Sequence, residues 1–414
     1  MMRSHDGLVL LLSLLLAACA ASRSSRGASE APSVVAEDAA LARRLDETLD
    51  AALRERRVVG AVVLVARDGR LVYGRAAGLA DRERGVAMRE DTLFRYASVT
   101  KPFVAAAALS LVERGALRLD DPITRFLPDF RPRLEDGTAP AITVRQLLTH
   151  TSGLGYSHTE PEDGPYHRAG VSDGLDAPGR SFEDNARRLV SVPLRARPGT
   201  AFRYSLSTDV LGEVVARASG SPLPEAVARL VAAPLGLRDA GFTVTDPSRL
   251  AAAYADGRDG PVRMEDGHRV PFAASAAVFA PSRAFDRRSY PSGGAGMVGT
   301  AHDLLTFLEA LRRGDARLLS PESARRAMQD QLGDADTSEL GEGMGFGFVG
   351  AVVVDRARAR SAARPGTVRW GGIYGHTWFI DPVEKLTVVL MTNTTLEGMS
   401  GRLSTELERA VYGR

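Results

Sequence analysis

Residues 94–115 read FRYASVTKPFVAAAALSLVERG, and this stretch contains a lysine, Lys101, three residues after Ser98. Of the 53 basic residues in the chain, all but Lys101 and Lys385 are arginine. Arginine keeps its proton at any useful pH, whereas a buried lysine can release a proton and act as a base. The alanine- and leucine-rich run predicts a helix that begins close to Ser98 and closes at Gly115. Because residues three apart share one helix face, the stretch predicts a serine nucleophile beside its activating base.

The composition is that of a globular protein with a substantial core. The chain has 414 residues, of which 44% are hydrophobic and 25% charged. Its formal net charge is +2, and no basic run is interleaved with aromatic residues. This balance argues against a nucleic-acid partner.

The N-terminus has the pattern of an export signal. Arg3 precedes an apolar run, Leu8 to Ala18, that is too short to span a bilayer as a helix, so residues 1–18 are predicted to be a signal peptide. The only cysteine, Cys19, directly follows two alanines, which resembles the lipobox of bacterial lipoproteins. We therefore expect a lipid anchor at Cys19, a flexible tether over 19–34, and a location in the bacterial envelope, on the periplasmic side of the outer membrane. The alternative is an ordinary secretory signal with an incidental cysteine.

Strand patterns occur at both ends of the remaining segment, 35–414. Near its start, VVGAVVLVARDGRLVYGRAAG predicts a hairpin that turns at Asp68 and Gly69. Near its end, further strands are predicted by GFGFVGAVVV, TVRWGG, HTWFIDP and LTVVLMTN. Between them, residues from about 120 to 282 alternate helical runs with loops, which indicates a mostly helical insertion. The expected fold is α+β, with one antiparallel sheet built from both chain ends, flanked by helices, and a mostly helical second region.

Five ordered segments resemble the serine β-lactamase superfamily, in particular class C β-lactamases, D-alanyl-D-alanine carboxypeptidases and family VIII carboxylesterases. They are SVTK at Ser98, VRQLLTHTSGL at Val144, FRYSLSTDVLGEVV at Phe202, PLGLRDAGF at Pro234 and GGAGMVGTAHDLLTFL at Gly293. The resemblance implies a β-lactamase/transpeptidase-like fold in which Ser98 is acylated and Lys101 activates it. It implies neither a metal nor an organic cofactor.

The second motif of this superfamily is a YxN tripeptide, and Tyr204 occupies its first position. The resemblance makes Tyr204 a partner of Lys101 in proton transfer. Leu206 stands where the family usually has asparagine, and an apolar side chain cannot hydrogen-bond the acylamino group of a β-lactam. Ser205 and Ser207 are the neighbouring polar residues that could compensate.

The third motif, KTG or HTG on a strand beside the site, is best matched by the substrate-binding candidates Trp370, Gly371 and Gly372, as in the WGG of the esterase branch. The resemblance then assigns the oxyanion hole to the backbone amides of Ser98 and Ile373. A competing alignment places the motif at His376 and Thr377, which makes His376 a further candidate for substrate binding. Arg369 is expected to face away from the side of the strand that Trp370 occupies.

The other histidines suggest two different sites. His150 could be the base of a triad, and His150, His158 and His167 could be metal ligands. Neither an HExxH motif nor a GxSxG nucleophile turn occurs in the chain, so no metal site is expected. By resemblance, His150 is structural.

These observations predict an exported serine hydrolase, most simply a carboxylesterase acting on small neutral esters. A β-lactamase or D-Ala-D-Ala carboxypeptidase is the first alternative. A non-hydrolytic envelope protein that binds penicillin or muropeptide is the second. The expected partners are a small ester or amide substrate and the membrane lipid around the anchor.

Overall fold

The structure is a computed structural model that describes residues 34–413. Its α-helices are α1 (Val34–Arg54), α2 (Thr100–Glu113), α3 (Val144–Leu148), α4 (Pro165–Ala169), α5 (Phe182–Val190), α6 (Ser207–Ser219), α7 (Leu223–Val227), α8 (Ala233–Leu235), α9 (Ala301–Arg313), α10 (Pro321–Ala327), α11 (Thr395–Met399) and α12 (Arg402–Tyr412). Its strands are β1 (Gly60–Arg67), β2 (Arg70–Asp81), β3 (Val86–Ala87), β4 (Phe94–Arg95), β5 (Tyr254–Ala255), β6 (Val262–Arg263), β7 (His268–Phe272), β8 (Ser275–Phe279), β9 (Val298–Gly299), β10 (Met344–Phe346), β11 (Ala351–Val353), β12 (Val368–Gly372), β13 (His376–Asp381) and β14 (Leu386–Thr392).

The main sheet has eight strands in the order β10-β11-β12-β13-β14-β1-β2-β3, and neighbouring strands are antiparallel. The two chain ends meet where β1 pairs with β14, with Val63 opposite Leu390. The β1–β2 turn has positive φ at both Asp68 (51°) and Gly69 (83°), which is the geometry that an Asp-Gly hairpin turn requires. The predicted fold, an antiparallel sheet built from both ends of the chain and flanked by helices, is confirmed.

Strand β1 is buried on both faces, and its side chains alternate between two cores. Val62 and Leu64 pack into the large core that contains α2 and α9, whereas Val63 and Val65 pack into the smaller core under α1 and α12. Because both faces of this strand are covered by helices, β1 is apolar along most of its length.

Helix α2 runs through the large core. Every residue from Thr100 to Leu111 is buried, and four consecutive alanines let neighbouring elements approach the helix closely. Phe103 stacks on Phe307 of α9, with the ring centroids 4.0 Å apart. This packing anchors the helix whose N-terminus carries Ser98.

The segment between the two sheet-forming ends contains α3 to α8 and then two small hairpins, β5–β6 and β7–β8. The predicted lipidation site Cys19, the signal peptide and all but the last residue of the tether lie outside the described residues. Among residues 34–413, the helices are too short or too polar to cross a bilayer.

Candidate active site

Ser98 lies in a short turn, Ala97–Val99, between β4 and α2. Ala97 has a φ of 46° and is fully buried. A residue with a Cβ pays about 1–3 kcal/mol for such a left-handed conformation, which persists only where the surrounding structure enforces it. The turn therefore holds Ser98 in a fixed position at the N-terminus of α2, beside an open pocket.

The structure brings together the three predicted catalytic side chains. The Lys101 Nζ donates to Ser98 Oγ at 3.1 Å, and the Tyr204 hydroxyl donates to the same oxygen at 2.7 Å. Lys101 lies in the first turn of α2, just after Ser98 in the chain. Tyr204 belongs to a distant part of the sequence, the segment immediately before α6. A nucleophile in contact with two groups that can carry protons is the arrangement that acyl transfer needs.

Lys101 is nearly buried, and its second hydrogen bond goes to the Gly294 carbonyl at 2.8 Å. A Cβ at Gly294 would lie 2.3 Å from Asp209 Oδ2, so any other residue here would have to displace the Asp209 carboxylate. Asp209 is itself buried and accepts a 2.6 Å hydrogen bond from Ser292, and burial raises the pKa of its carboxyl. The motif GGAGM thus supplies the carbonyl that positions Lys101, a role that its sequence alone did not reveal.

Aromatic rings surround the Ser98 hydroxyl. The Tyr204 ring centroid lies 5.1 Å from that of Trp370, 5.2 Å from that of Tyr156 and 5.0 Å from that of His150. Lys101 Nζ lies 4.8 Å from the Tyr204 centroid and 5.5 Å from the Tyr156 centroid, within the range of cation–π attraction. Tyr156 escaped the sequence analysis because it lies in an irregular loop with no motif of its own.

His150 supports Tyr204 from behind and does not contact Ser98. Its Nδ1 accepts the backbone N–H of Ser205 at 3.2 Å, and burial, together with the nearby Lys101, lowers the pKa of His150 well below its ordinary value. A neutral imidazole that accepts a backbone hydrogen bond fixes the segment that carries Tyr204. This placement agrees with a structural His150.

The WGG tripeptide ends strand β12 directly beside the Ser98 turn. Trp370, Gly371 and Ile373 line the same pocket as Ser98. A Cβ at Gly372 would lie 2.3 Å from the Tyr96 carbonyl oxygen, so glycine is what allows the strand to approach the turn so closely. The Ile373 amide has no hydrogen-bond partner within the described residues and is free for a substrate oxygen.

The side chain of His376, in contrast, does not reach the pocket. His376 pairs with Gly372 from the next strand, is 1% exposed, and its Nε2 hydrogen-bonds the Arg95 carbonyl at 2.8 Å. Burial lowers the pKa of His376 to about 4, so the ring is neutral. The structure gives no support to the substrate-binding role predicted for His376, because the ring is used to connect two elements of the fold.

The polar residues that could have replaced the missing asparagine are also turned inward. Leu206 is fully buried in the large core. The Ser205 and Ser207 hydroxyls are buried, 2.8 Å apart, and Ser207 is further bonded to Ser152 at 2.7 Å. None of the three presents a polar group to a substrate.

The pocket above Ser98 has a volume of about 470 Å³. Its apolar and aromatic lining includes Tyr156, Leu175, Phe202, Phe272, Leu340, Met344, Trp370, Ile373 and Met399. Arg369 lies at its edge, and its Nη1 is held by Glu408 at 2.6 Å, as expected for a side chain that points away from Trp370. Arg369 is the only lysine or arginine among the described residues that line the pocket, and it is already paired with Glu408, so no unpaired lysine or arginine is left there to meet a substrate carboxylate.

The other two histidines considered as metal ligands, His158 and His167, each hydrogen-bond a different residue. His158 Nδ1 bonds Asp173 at 3.0 Å, and His167 Nε2 bonds Ser275 at 3.2 Å. Over residues 34–413, no group of three or more His, Cys, Asp or Glu side chains is placed to hold a metal ion.

Comparisons with known proteins agree with this geometry. Residues 45–412 match the sequence model of the beta-lactamase family. Esterase EstB of Burkholderia gladioli is 54% identical over 392 residues, which cover 94% of this chain and 99% of EstB. Protein Rv1367c of Mycobacterium tuberculosis is 36% identical over 360 residues, 80% of this chain and 85% of that protein.

Two solved structures show the same architecture. EstCE1, described as a hydrolase with promiscuous acyltransferase activity, superposes with a TM-score of 0.88 at 45% identity and covers 91% of this chain and 100% of its own. Unliganded simvastatin synthase LovD from Aspergillus terreus superposes with a TM-score of 0.70 at 23% identity, covering 90% and 98% of the two chains. At that identity, the second likeness concerns the fold alone.

Proposed function

Since the chain belongs to the beta-lactamase family and is a serine hydrolase, we propose that it is a carboxylesterase acting on small neutral esters. The observation that carries the proposal is the Ser98 hydroxyl, which receives hydrogen bonds from Lys101 and Tyr204 beside a mainly apolar pocket. The names of EstB, an esterase, and EstCE1, a hydrolase, support the same activity.

In the proposed reaction, Lys101 in its amine form takes the Ser98 proton while Oγ attacks the ester carbonyl carbon. The amides of Ser98 and Ile373 stabilise the negative charge that develops on the carbonyl oxygen, where one donor is typically worth about 2.7–4 kcal/mol. Tyr204 protonates the departing alcohol, which leaves an acyl-enzyme. Water then attacks the acyl carbon with the same groups in reverse roles, releasing the acid and restoring Ser98.

The pocket suits neutral esters better than β-lactams. A β-lactam presents a carboxylate and an acylamino group, but Trp370 replaces the family's lysine and Leu206 is buried. Each polar group left unpaired on desolvation costs about 1–3 kcal/mol, and the carboxylate more. A short neutral ester has no such groups beyond the reacting carbonyl.

We therefore expect kcat/KM for p-nitrophenyl butyrate to exceed kcat/KM for nitrocefin by at least about tenfold. Both substrates are assayed on one preparation, with Ser98→Ala as the blank and a D-Ala-D-Ala peptide as a third substrate. Nitrocefin turnover equal to or above ester turnover would assign the protein to the β-lactamase side of the family. Stable labelling of Ser98 by a fluorescent penicillin without ester turnover would favour a binding protein.

We also propose that the chain is exported and anchored by lipid at Cys19. The support is the sequence pattern: a short apolar run that ends in two alanines and the only cysteine of the chain. A single cysteine simplifies the test, because any thiol-linked lipid must be attached to Cys19.

The wild-type protein should sediment with membranes and carry a diacylglyceryl group, and Cys19→Ser should release it or block its maturation. Fractionation with detergent extraction and intact-mass measurement gives both readouts. Ester hydrolysis by the released variant provides the control that folding is intact. A wild-type protein found wholly in the soluble fraction would contradict the anchor.

A further inference from the structure

A second cavity, of about 150 Å³, lies behind the substrate pocket. Leu175 and Ala295 line both spaces, so the two are separated by a thin wall. The basic residues that line the second cavity are Arg95, Arg283 and Arg287. It contains no member of the Ser98, Lys101 and Tyr204 group.

None of the three arginines forms an ion pair with a carboxylate in the described part of the chain. Arg95 donates to the carbonyls of Pro281 and Ala251 at 3.0 and 2.9 Å. Arg283 likewise donates only to backbone carbonyls, those of Asp176, Ala177 and Tyr290. Arg287 makes neither a hydrogen bond nor an ion pair within residues 34–413.

The carboxylates around the cavity accept their hydrogen bonds from residues other than the three arginines. Asp286, which lines it, accepts from Arg288 at 3.3 Å and from Ser289 at 3.1 Å. Asp176 and Asp266, which lie near Arg283 and Arg95, are bound to the hydroxyls of Ser172 and Ser282. No carboxylate accepts a hydrogen bond from Arg95 or Arg283, and of the five N–H donors that each guanidinium carries, these hydrogen bonds use two in Arg95 and at most three in Arg283. Arg287 is exposed and adds a third guanidinium at the cavity.

Tyr374 adds a hydrogen-bond donor to this cavity. The residue is 6% exposed, its ring packs against Phe279 with the centroids 5.0 Å apart, and its hydroxyl has no partner in the described structure. Burial raises the pKa of Tyr374 to about 12, so the hydroxyl keeps its proton. The Arg95 guanidinium lies 5.9 Å from the centroid of the same ring.

We propose that this cavity binds a small oxyanion, either the carboxylate of a short organic acid or inorganic phosphate, through its guanidinium groups and the Tyr374 hydroxyl. Guanidinium groups are the side chains that pair best with carboxylate and phosphate oxygens. The bound anion would contact Ala295, the residue that follows Gly294 in the chain. The Gly294 carbonyl accepts a hydrogen bond from Lys101. The inference does not depend on the proposed esterase activity.

Isothermal titration of the purified full chain with sodium acetate and with sodium phosphate, at constant ionic strength, tests the site. We expect saturable binding of at least one anion, and Arg287→Ala and Tyr374→Phe should each raise its Kd about tenfold. Acetate alone would identify a carboxylate site, phosphate alone a phosphate site, and both together a general oxyanion site.

Arg258→Ala is the matched control, because Arg258, like Arg287, is exposed and makes neither a hydrogen bond nor an ion pair within residues 34–413, and it lies outside this cavity. Its Kd should equal that of the wild type. The proposal is overturned if neither anion binds saturably, if binding survives both Arg287→Ala and Tyr374→Phe, or if Arg258→Ala weakens it equally. Melting temperatures of the three variants in the absence of anion show that each is folded.

Discussion

Lys101→Arg should lower kcat/KM for p-nitrophenyl butyrate by about 10³ or more. The substitution keeps the positive charge but removes the only group beside Ser98 Oγ that could become a neutral amine base. It also replaces a point donor, now bonded to Ser98 Oγ and the Gly294 carbonyl, with a wider planar group that cannot keep both distances. Both effects act on the acylation step, so labelling of Ser98 by a fluorophosphonate, which needs acylation alone, should slow as well.

The same lysine-to-arginine substitution at a second position provides the control. Lys385 is the only other lysine of the chain and lies in the exposed turn before β14, where its Nζ is 3.3 Å from Asp68 Oδ1. Lys385→Arg should leave kcat/KM unchanged, and both variants should melt close to the wild type. If Lys101→Arg kept a tenth of the wild-type rate, Lys101 would not be the base.

Much of the fold could be predicted from the sequence because its signals are local. The Asp-Gly turn of the first hairpin, the apolar strands near the C-terminus and the alanine-rich helix after Ser98 are each decided by neighbouring residues. The pairing of the two ends follows because β1 and β14 would each be an unpaired edge strand if the two groups of strands did not join into one sheet.

The parts of the site that depend on long-range contacts could not be predicted in the same way. The SxxK spacing placed Ser98 and Lys101 together, since a helix fixes that distance. No local pattern, however, shows that the Gly294 carbonyl accepts a hydrogen bond from Lys101 or that Tyr156 packs beside Tyr204. Nor does any local pattern show that an arginine-lined cavity lies next to Ala295.

The choice between Trp370 and His376 shows the same limit. Both are on strands near the site and both fit a motif, so the sequence left two alignments open. The two side chains differ in their surroundings. The His376 ring is buried and hydrogen-bonds the Arg95 carbonyl, whereas Trp370 lines the pocket. Which face of a strand meets a cavity depends on register, and register is a property of the assembled sheet.

Tyr204→Phe should lower kcat by about 10² to 10⁴ while changing KM little. The phenyl ring can keep its contacts with Trp370, Tyr156 and His150, so the shape of the pocket is retained. What is lost is one oxygen, the group that lies 2.7 Å from Ser98 Oγ and can return a proton to the departing alcohol. Tyr73→Phe is the matched control, because it deletes a hydroxyl with a comparable 2.8 Å bond, to Asp46, in the smaller core on the other face of the sheet.

The double variant Lys101→Arg, Tyr204→Phe then decides whether the two side chains act as one unit. If proton transfer needs both, either single change already removes it, and the double variant should lose little more than the worse single one. Two independent contributions would instead multiply, taking the loss to about 10⁵ or beyond. A Tyr204→Phe variant with an unchanged kcat would exclude the phenol from proton transfer and leave Lys101 to carry both the attack and the departure of the alcohol. The shared contact with one Ser98 oxygen leads us to expect the non-additive result.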